Sequence, residues 1–317
     1  MMIRTENLTR KFGGGRGVFD LNLEVPKGTI YGFIGHNGAG KTTAIKILCG
    51  LLRPDSGRAF IGGVEVLPKN RMQIKKSIGY MPDITGIYDQ MSVWEFLDFY
   101  GAAFKIPPAK RSVRIREVLE LTHAEEMIDY QVASLSRGMR QKIGLAKTLI
   151  HDPDVLILDE PAGGLDPNAR IEMRKTIAGL RDLGKTILLS SHILPELASI
   201  CDRVGIINRG VLLAQGTVQE ISAQLQENLQ ILVTVDSDIQ TALERVRGLP
   251  GVADAAVADS EHLSLSFTGG RKCAGELLRA IQEQGVKVRW FAENEANLEN
   301  VFINLTSRGT GEAEQDA

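Results

Sequence analysis

The segment Gly35-His36-Asn37-Gly38-Ala39-Gly40-Lys41-Thr42 constrains this chain more than any other. It fits GxxxxGK[ST] in full, and its surroundings fit as well. The apolar run Thr29–Ile34 before it reads as a strand, and Lys41–Leu51 after it reads as an apolar helix. A loop in that setting is built to hold phosphates, because its glycines let backbone N–H groups turn inward. Gly35, His36, Asn37, Gly38, Ala39 and Gly40 would form the cradle. Lys41 would reach the β- and γ-phosphates, the Thr42 hydroxyl would ligate Mg2+, and Thr43 would bond the α-phosphate.

A second element completes the first. Val155-Leu156-Ile157-Leu158-Asp159-Glu160 is a fully apolar strand that ends in two carboxylates. Asp159 can hold Mg2+ through water, and Glu160 can polarise a water for in-line attack on the γ-phosphate. Lys185–Ser190 is another buried strand, preceded by a helix over Asn168–Leu183 that Gly184 ends. Phe19–Val25 alternates apolar and polar, as a half-buried strand does. Ser92-Val93-Trp94-Glu95 is a capping box opening a helix through about Phe104. Strands alternating with helices, and apolar on both faces, predict an α/β unit with a largely parallel sheet.

Just before Val155 stands Leu135-Ser136-Arg137-Gly138-Met139-Arg140-Gln141. This stretch resembles the signature sequence of ATP-binding-cassette (ABC) ATPases, which usually reads LSGGQ. Ser136 and Gly138 are kept; one glycine is replaced by Arg137 and the glutamine by Met139. Ser136 and the N–H groups after it would open a helix over Gly138–Ile150, whose positive end can face a γ-phosphate. Pro161–Asp166 (PAGGLD) resembles the family's D-loop, and His192 its switch histidine, which touches the γ-phosphate. Phe12 lies where the family carries an aromatic that stacks on adenine; Phe19, the competitor, belongs to an alternating core face. Ile78-Gly79-Tyr80-Met81-Pro82 resembles the run that leads to a metal- and water-sensing glutamine, but here it leads to Asp83. Aspartate is shorter and anionic, so the resemblance implies that Asp83 either holds the metal in a different way or only couples to a partner.

The motifs occupy Met1–Glu220, and the charge changes beyond them. The first part has 29 basic and 24 acidic residues; Ile221–Ala317 has 8 and 15. The elements change too: strand 231–235, helix 239–248, strands 251–258 and 262–267, helix 271–284 and strand 286–291. That βαββαβ order is the split βαβ of ferredoxin-like domains. The expected architecture is therefore a P-loop NTPase of ABC type with a helical subdomain over 1–222. A small α+β ferredoxin-like domain follows over 230–306, with a last helix over 296–305. An acidic tail over 307–317 is expected to be disordered. The small domain, with Asn297–Phe302, resembles one found behind cassettes of drug- and polysaccharide-exporter type.

The remaining composition excludes several classes. A net charge of −2 argues against a nucleic-acid partner bound by phosphate neutralisation. No apolar run approaches the roughly 18–20 residues that span a bilayer. Cys49, Cys201 and Cys273 form neither a disulfide framework nor a zinc spacing, which points to a reducing cytoplasmic compartment.

The resemblance implies a hydrolase of ATP with Mg2+ as cofactor. Two copies would pack head to tail, each ATP lying between one P-loop and the other copy's Ser136. ATP binding would close the pair and hydrolysis reopen it, driving a separate integral membrane permease. Of the aromatic cluster Tyr80, Tyr88, Trp94, Phe96, Phe99, Tyr100 and Phe104, part would be helix core and the rest would line a groove for a cytoplasmic helix of that permease. The chain would then sit peripherally at the cytoplasmic face of the membrane. The other reading is a soluble ABC-type ATPase without a transport role. Such proteins usually carry two cassettes or a long coiled-coil insertion, and this chain has one P-loop and no sustained heptads.

Overall fold

The computed structural model describes residues 1–83, 86, 90–192, 199–217, 219–221 and 229–293. The chain opens with strands β1 (Ile3–Phe12), β2 (Arg16–Leu21) and β3 (Glu24–Val25). The single strand expected over Phe19–Val25 is thus two. β2 pairs with the second half of β1 and β3 with its start. Asp20 at φ +47 breaks the run. The buried Thr5 hydroxyl fills the gap, donating to Leu21 O at 2.7 Å and accepting from Leu23 N–H at 2.8 Å. The apolar alternation survives, since Leu21, Leu23 and Val25 are all buried.

Strand β4 (Ile30–Ile34) is buried along its whole length, as a central parallel strand must be. It runs into the glycine loop and then helix α1 (Lys41–Leu48). That helix is shorter than the sequence suggested. Gly50 at φ +66 ends it, with Gly50 N–H bonded to Ile47 O and Leu51 N–H to Lys46 O. These two bonds are a Schellman cap, available because glycine accepts the left-handed conformation without a Cβ clash. Ile45 and Leu48 are fully buried in the core that also holds Val18, Leu21, Tyr31 and Phe33.

The chain continues through β5 (Ser56–Ile61), β6 (Val64–Glu65), α2 (Arg71–Ser77) and β7 (Ile78–Met81). Three helices follow, α3 (Val93–Ala103), α4 (Pro108–Leu121) and α5 (Arg137–Leu149), and they pack on one another as the helical subdomain. Both expected caps are present. Ser92 and Glu95 form the full capping box on α3, and Ser136 caps α5 by accepting from Met139 N–H at 3.3 Å. Then come β8 (Val155–Asp159), α6 (Pro167–Asp182), β9 (Thr186–Ser191), β10 (Arg203–Asn208) and β11 (Val211–Gly216).

Two sheets organise these strands. One has five antiparallel strands ordered β2-β1-β5-β6, with β3 also on β1. The other has six, ordered β11-β10-β4-β9-β8-β7, parallel except for the β10–β11 pair. The order places β4, β9 and β8 side by side, so the loops after them meet at one end.

The chain divides after Thr217 into two units, Met1–Thr217 and Val218–Ala317, ahead of the expected boundary at 222. The second unit is formed by β12 (Leu229–Val235), α7 (Ile239–Arg247), β13 (Val252–Val257), β14 (His262–Phe267), α8 (Ala274–Glu283) and β15 (Val288–Glu293). Its sheet is antiparallel in the order β13-β14-β12-β15. This is the ferredoxin-like order predicted from the element sequence. Ile231, Val233, Leu263, Leu265, Val246 and Ile281 fill its own core. The helix expected over 296–305 and the tail over 307–317 lie outside the described residues.

Candidate functional site

The loop between β4 and α1 is shaped by its glycines. Gly38 and Gly40 have φ of +84 and +109. A Cβ on Gly35 would lie 2.5 Å from Ile207 O, and one on Gly40 would lie 2.7 Å from Gly17 O. Backbone conformation and close approach both require glycine here. Ala39 is buried, while His36 and Asn37 are exposed.

Lys41, the first residue of α1, is 6% exposed. Its ammonium donates to Gly35 O at 2.6 Å and to His36 O at 3.4 Å, and lies 3.3 Å from Glu160 Oε1. The lysine is therefore held inside the loop that would wrap a phosphate. The carboxylate and carbonyls are partners it can exchange for phosphate oxygens.

The two carboxylates at the end of β8 have distinct settings. Asp159 is 2% exposed. Its Oδ2 accepts from the Thr42 hydroxyl at 3.0 Å, and its Oδ1 accepts from the Ser190 hydroxyl at 2.6 Å. Glu160 has a left-handed backbone, φ +51, a strained conformation for a residue with a Cβ. Its N–H donates to Ser190 O at 3.2 Å and Ser190 Oγ at 3.1 Å, which holds it there. Its Oε2 lies 2.9 Å from His192 Nδ1, which carries the proton when Glu160 is ionised. Its Oε1 is buried and makes no directional hydrogen bond. A buried acceptor so placed is what an attacking water needs.

One cleft, of about 270 Å³, is lined by Phe12, His36, Asn37, Gly38, Gly40, Lys41, Thr42, Thr43, Asp83, Asp159 and Glu160. The structure thus brings most of the expected residues to one place. Phe12 lies at its rim, 43% exposed, with the Arg10 guanidinium 5.2 Å from the ring centroid. Phe19 does not line the cleft. Asp83 lies near Gly163, where a Cβ would be 3.8 Å from Asp83 Oδ1. Ser136 and Gly138 do not line this cleft; they stand at the start of α5, where a Cβ on Gly138 would meet Ala169 and Leu165. The charge of Asp159 reaches two neighbours. Burial first, and that charge second, push the Cys49 thiol and the Tyr80 phenol up from their ordinary values.

Ser190 was not singled out from the sequence. The signal was present, since β9 is apolar from Ile187 to Leu189 and then turns polar directly opposite Asp159. Ser190→Ala would leave Asp159 Oδ1 buried without its donor. The expected cost is about 1–3 kcal/mol, a fall of several degrees in thermal midpoint by calorimetry. Ser190→Thr, which keeps the hydroxyl, should recover most of it.

The comparisons with known proteins agree with this geometry. Residues 18–163 match the family model described as ABC transporter. The linearmycin resistance ATP-binding protein LnrL of Bacillus subtilis is 32% identical over 97% of this chain and 99% of its own. The bacitracin transport ATP-binding protein BcrA of Bacillus licheniformis is 34% identical over 98% of both chains. Among solved structures, an ATP-binding subunit of an ABC transporter superposes with a TM-score of 0.64 at 28% identity, over 71% of this chain and 93% of that one. The cassette cbiO1 of Clostridium perfringens does so with a TM-score of 0.64 at 29% identity, over 70% and 91%. A phosphate loop, two carboxylates clamped beside it and near-full-length relatives lead to one assignment: the chain belongs to the ATP-binding subunits of ABC transporters, and is an ATPase of that family.

Proposed function

We propose that this chain powers export of an antibiotic- or drug-like compound through a separate membrane permease, working as a head-to-tail pair of ATP-binding subunits. The observation that carries the chemistry is the Lys41–Glu160–His192 chain of contacts beside the Thr42–Asp159 pair. Phe12 stacks on adenine, and the N–H groups of 35–43 with Lys41 hold the phosphates. Thr42 and Asp159 would be the oxygen donors for Mg2+, and Asp83, which lines the same cleft, would join them through water. The metal would neutralise phosphate charge. Glu160 takes the proton from the attacking water through Oε1, once Lys41 has turned from it to the phosphates, while His192 holds the carboxylate through Oε2. Ser136 and the Gly138 N–H serve the ATP of the opposite copy. Their position away from the chain's own cleft favours that reading over action in the same chain.

Export is favoured by the relatives, which are named for linearmycin resistance, bacitracin transport and daunorubicin resistance. The same names favour transport over a soluble ATPase without a transport role. Among the described residues no helix is long and apolar enough to cross a membrane. The permease would therefore hold this subunit peripherally at the cytoplasmic face.

A groove of about 650 Å³, lined by Phe104, Ile106, Val113, Arg114, Ile150 and His151, is the surface we assign to a cytoplasmic helix of the permease. Phe104 stacks on His151 with ring centroids 3.8 Å apart. Of the aromatic cluster, Phe96 is core, Phe99 is 44% exposed, and Tyr88 lies outside the described residues. The test is Phe104→Ala, in the groove itself, in cells carrying the permease. ATP affinity should be unchanged while export falls about tenfold, the loss expected for one interface aromatic worth roughly 1–2 kcal/mol. Loss of ATP binding together with export would show that Phe104 supports the fold instead.

A further inference from the structure

Arg137 replaces a glycine of the usual signature, and its side chain folds back onto its own chain. A Cβ on Gly164 would collide with Arg137 Cζ and lie 2.6 Å from each of the two terminal nitrogens. Three guanidinium atoms at similar distances place the face of that group across the space a Gly164 Cβ would take. Gly164 is itself left-handed, at φ +67. The next residue of the signature packs on the same loop. A Cβ on Gly138 would meet Leu165 Cδ2 at 3.9 Å and Ala169 Cβ at 3.6 Å. One helical turn further, Lys142 Nζ pairs with Glu172 Oε2 at 2.9 Å and ties α5 to α6. The loop 161–166 is thus gripped by the first turn of α5. Its other end is Glu160, whose carbonyl accepts from Gly163 N–H at 2.9 Å.

We propose that Arg137 is a positioning residue that couples the signature to Glu160 within one chain. Its guanidinium, flat on Gly164, makes the first turn of α5 and the loop 161–166 move as one body. Through that contact the first turn of α5 holds the loop, and with it this chain's own Glu160, in line for hydrolysis of its own ATP, whether or not the opposite copy carries nucleotide. A planar, rigid side chain suits this work; a lysine fills the space without the flat contact. A glycine at this position would leave Gly164 uncovered and the loop free to move separately. The proposal rests on the head-to-tail pairing proposed above.

The contact can be read with no dimer present. In the nucleotide-free full chain, amide exchange at Gly163 and Leu165 should speed up about tenfold in Arg137→Ala and less in Arg137→Lys. Turnover should fall about tenfold at unchanged KM, with ATP affinity of the single chain unaltered, and Arg137→Lys should recover part of the rate. Mixed pairs then separate action within a chain from action across the pair. Each variant is paired with a Lys41→Ala chain, and the wild-type/Lys41→Ala pair is the baseline. Ser136→Ala should match that baseline, because the working P-loop then faces an intact signature. Arg137→Ala should stay well below it, because the working Glu160 lacks its own Arg137. Unchanged exchange, wild-type turnover, or an Arg137→Ala pair that matches the baseline would each overturn the proposal. A Ser136→Ala pair that falls below the baseline would instead break the head-to-tail reading, and the proposal with it.

Discussion

Glu160→Gln should lower ATP turnover by about 10²–10⁴-fold, the usual contribution of a positioned general base. The geometry says why binding should survive. Glutamine has the same shape, and its amide can still meet His192 Nδ1, now 2.9 Å from Oε2. It cannot take a proton from water. The substitution also removes the carboxylate that sits 3.3 Å from the Lys41 ammonium. That carboxylate competes with phosphate for the lysine, so ATP should bind a few-fold more tightly, consistent with the modest worth of one charged contact. Steady-state phosphate release and equilibrium ATP titration measure the two effects separately. A variant that hydrolyses ATP at the wild-type rate would remove Glu160 from the role of base.

Lys41→Ala should have the opposite profile. Charge-assisted hydrogen bonds to two phosphates would be lost, weakening ATP binding by about 2–4 kcal/mol, or roughly 30- to 1000-fold in affinity. Turnover should fall with it. The loss has a second part. Glu160 Oε1 is buried, and without the ammonium the ion-pair contact that remains to this carboxylate among the described residues is His192, on Oε2. An uncompensated buried carboxylate is costly, so the thermal midpoint of the nucleotide-free protein should fall as well. Calorimetry on Lys41→Ala and on Lys41→Ala with Glu160→Gln tests this. The double variant should be the more stable of the two, because the neutral amide no longer needs the cation.

Much of this site could be read from residue order. The glycine loop announced itself because its residues have few other uses at that spacing, and it runs from a strand into a helix that starts at Lys41 as expected. The carboxylate pair followed from an apolar run ending in Asp159-Glu160. The four strands and two helices of the small unit were also legible, because each is short, well bounded and patterned. What was not legible depends on pairing across the fold. The break after Leu21 arises because β2 and β3 join different parts of β1, with the Thr5 hydroxyl between them. Ser190 matters only because register sets it beside Asp159. The early end of α1 was signalled by Gly50, but Pro54 and Gly57 downstream drew the prediction too far. Arg137 reads as a departure from a motif, and only packing on Gly164 gives it a physical partner.

The most direct test of the account is the mass of Glu160→Gln in solution, by light scattering on a sizing column, with ATP and Mg2+ and then with ADP. The account predicts a two-copy particle with ATP, a single copy with ADP, and loss of the two-copy particle when Ser136→Ala is added. A single copy at saturating ATP would contradict it, because Ser136 would then have no phosphate to meet.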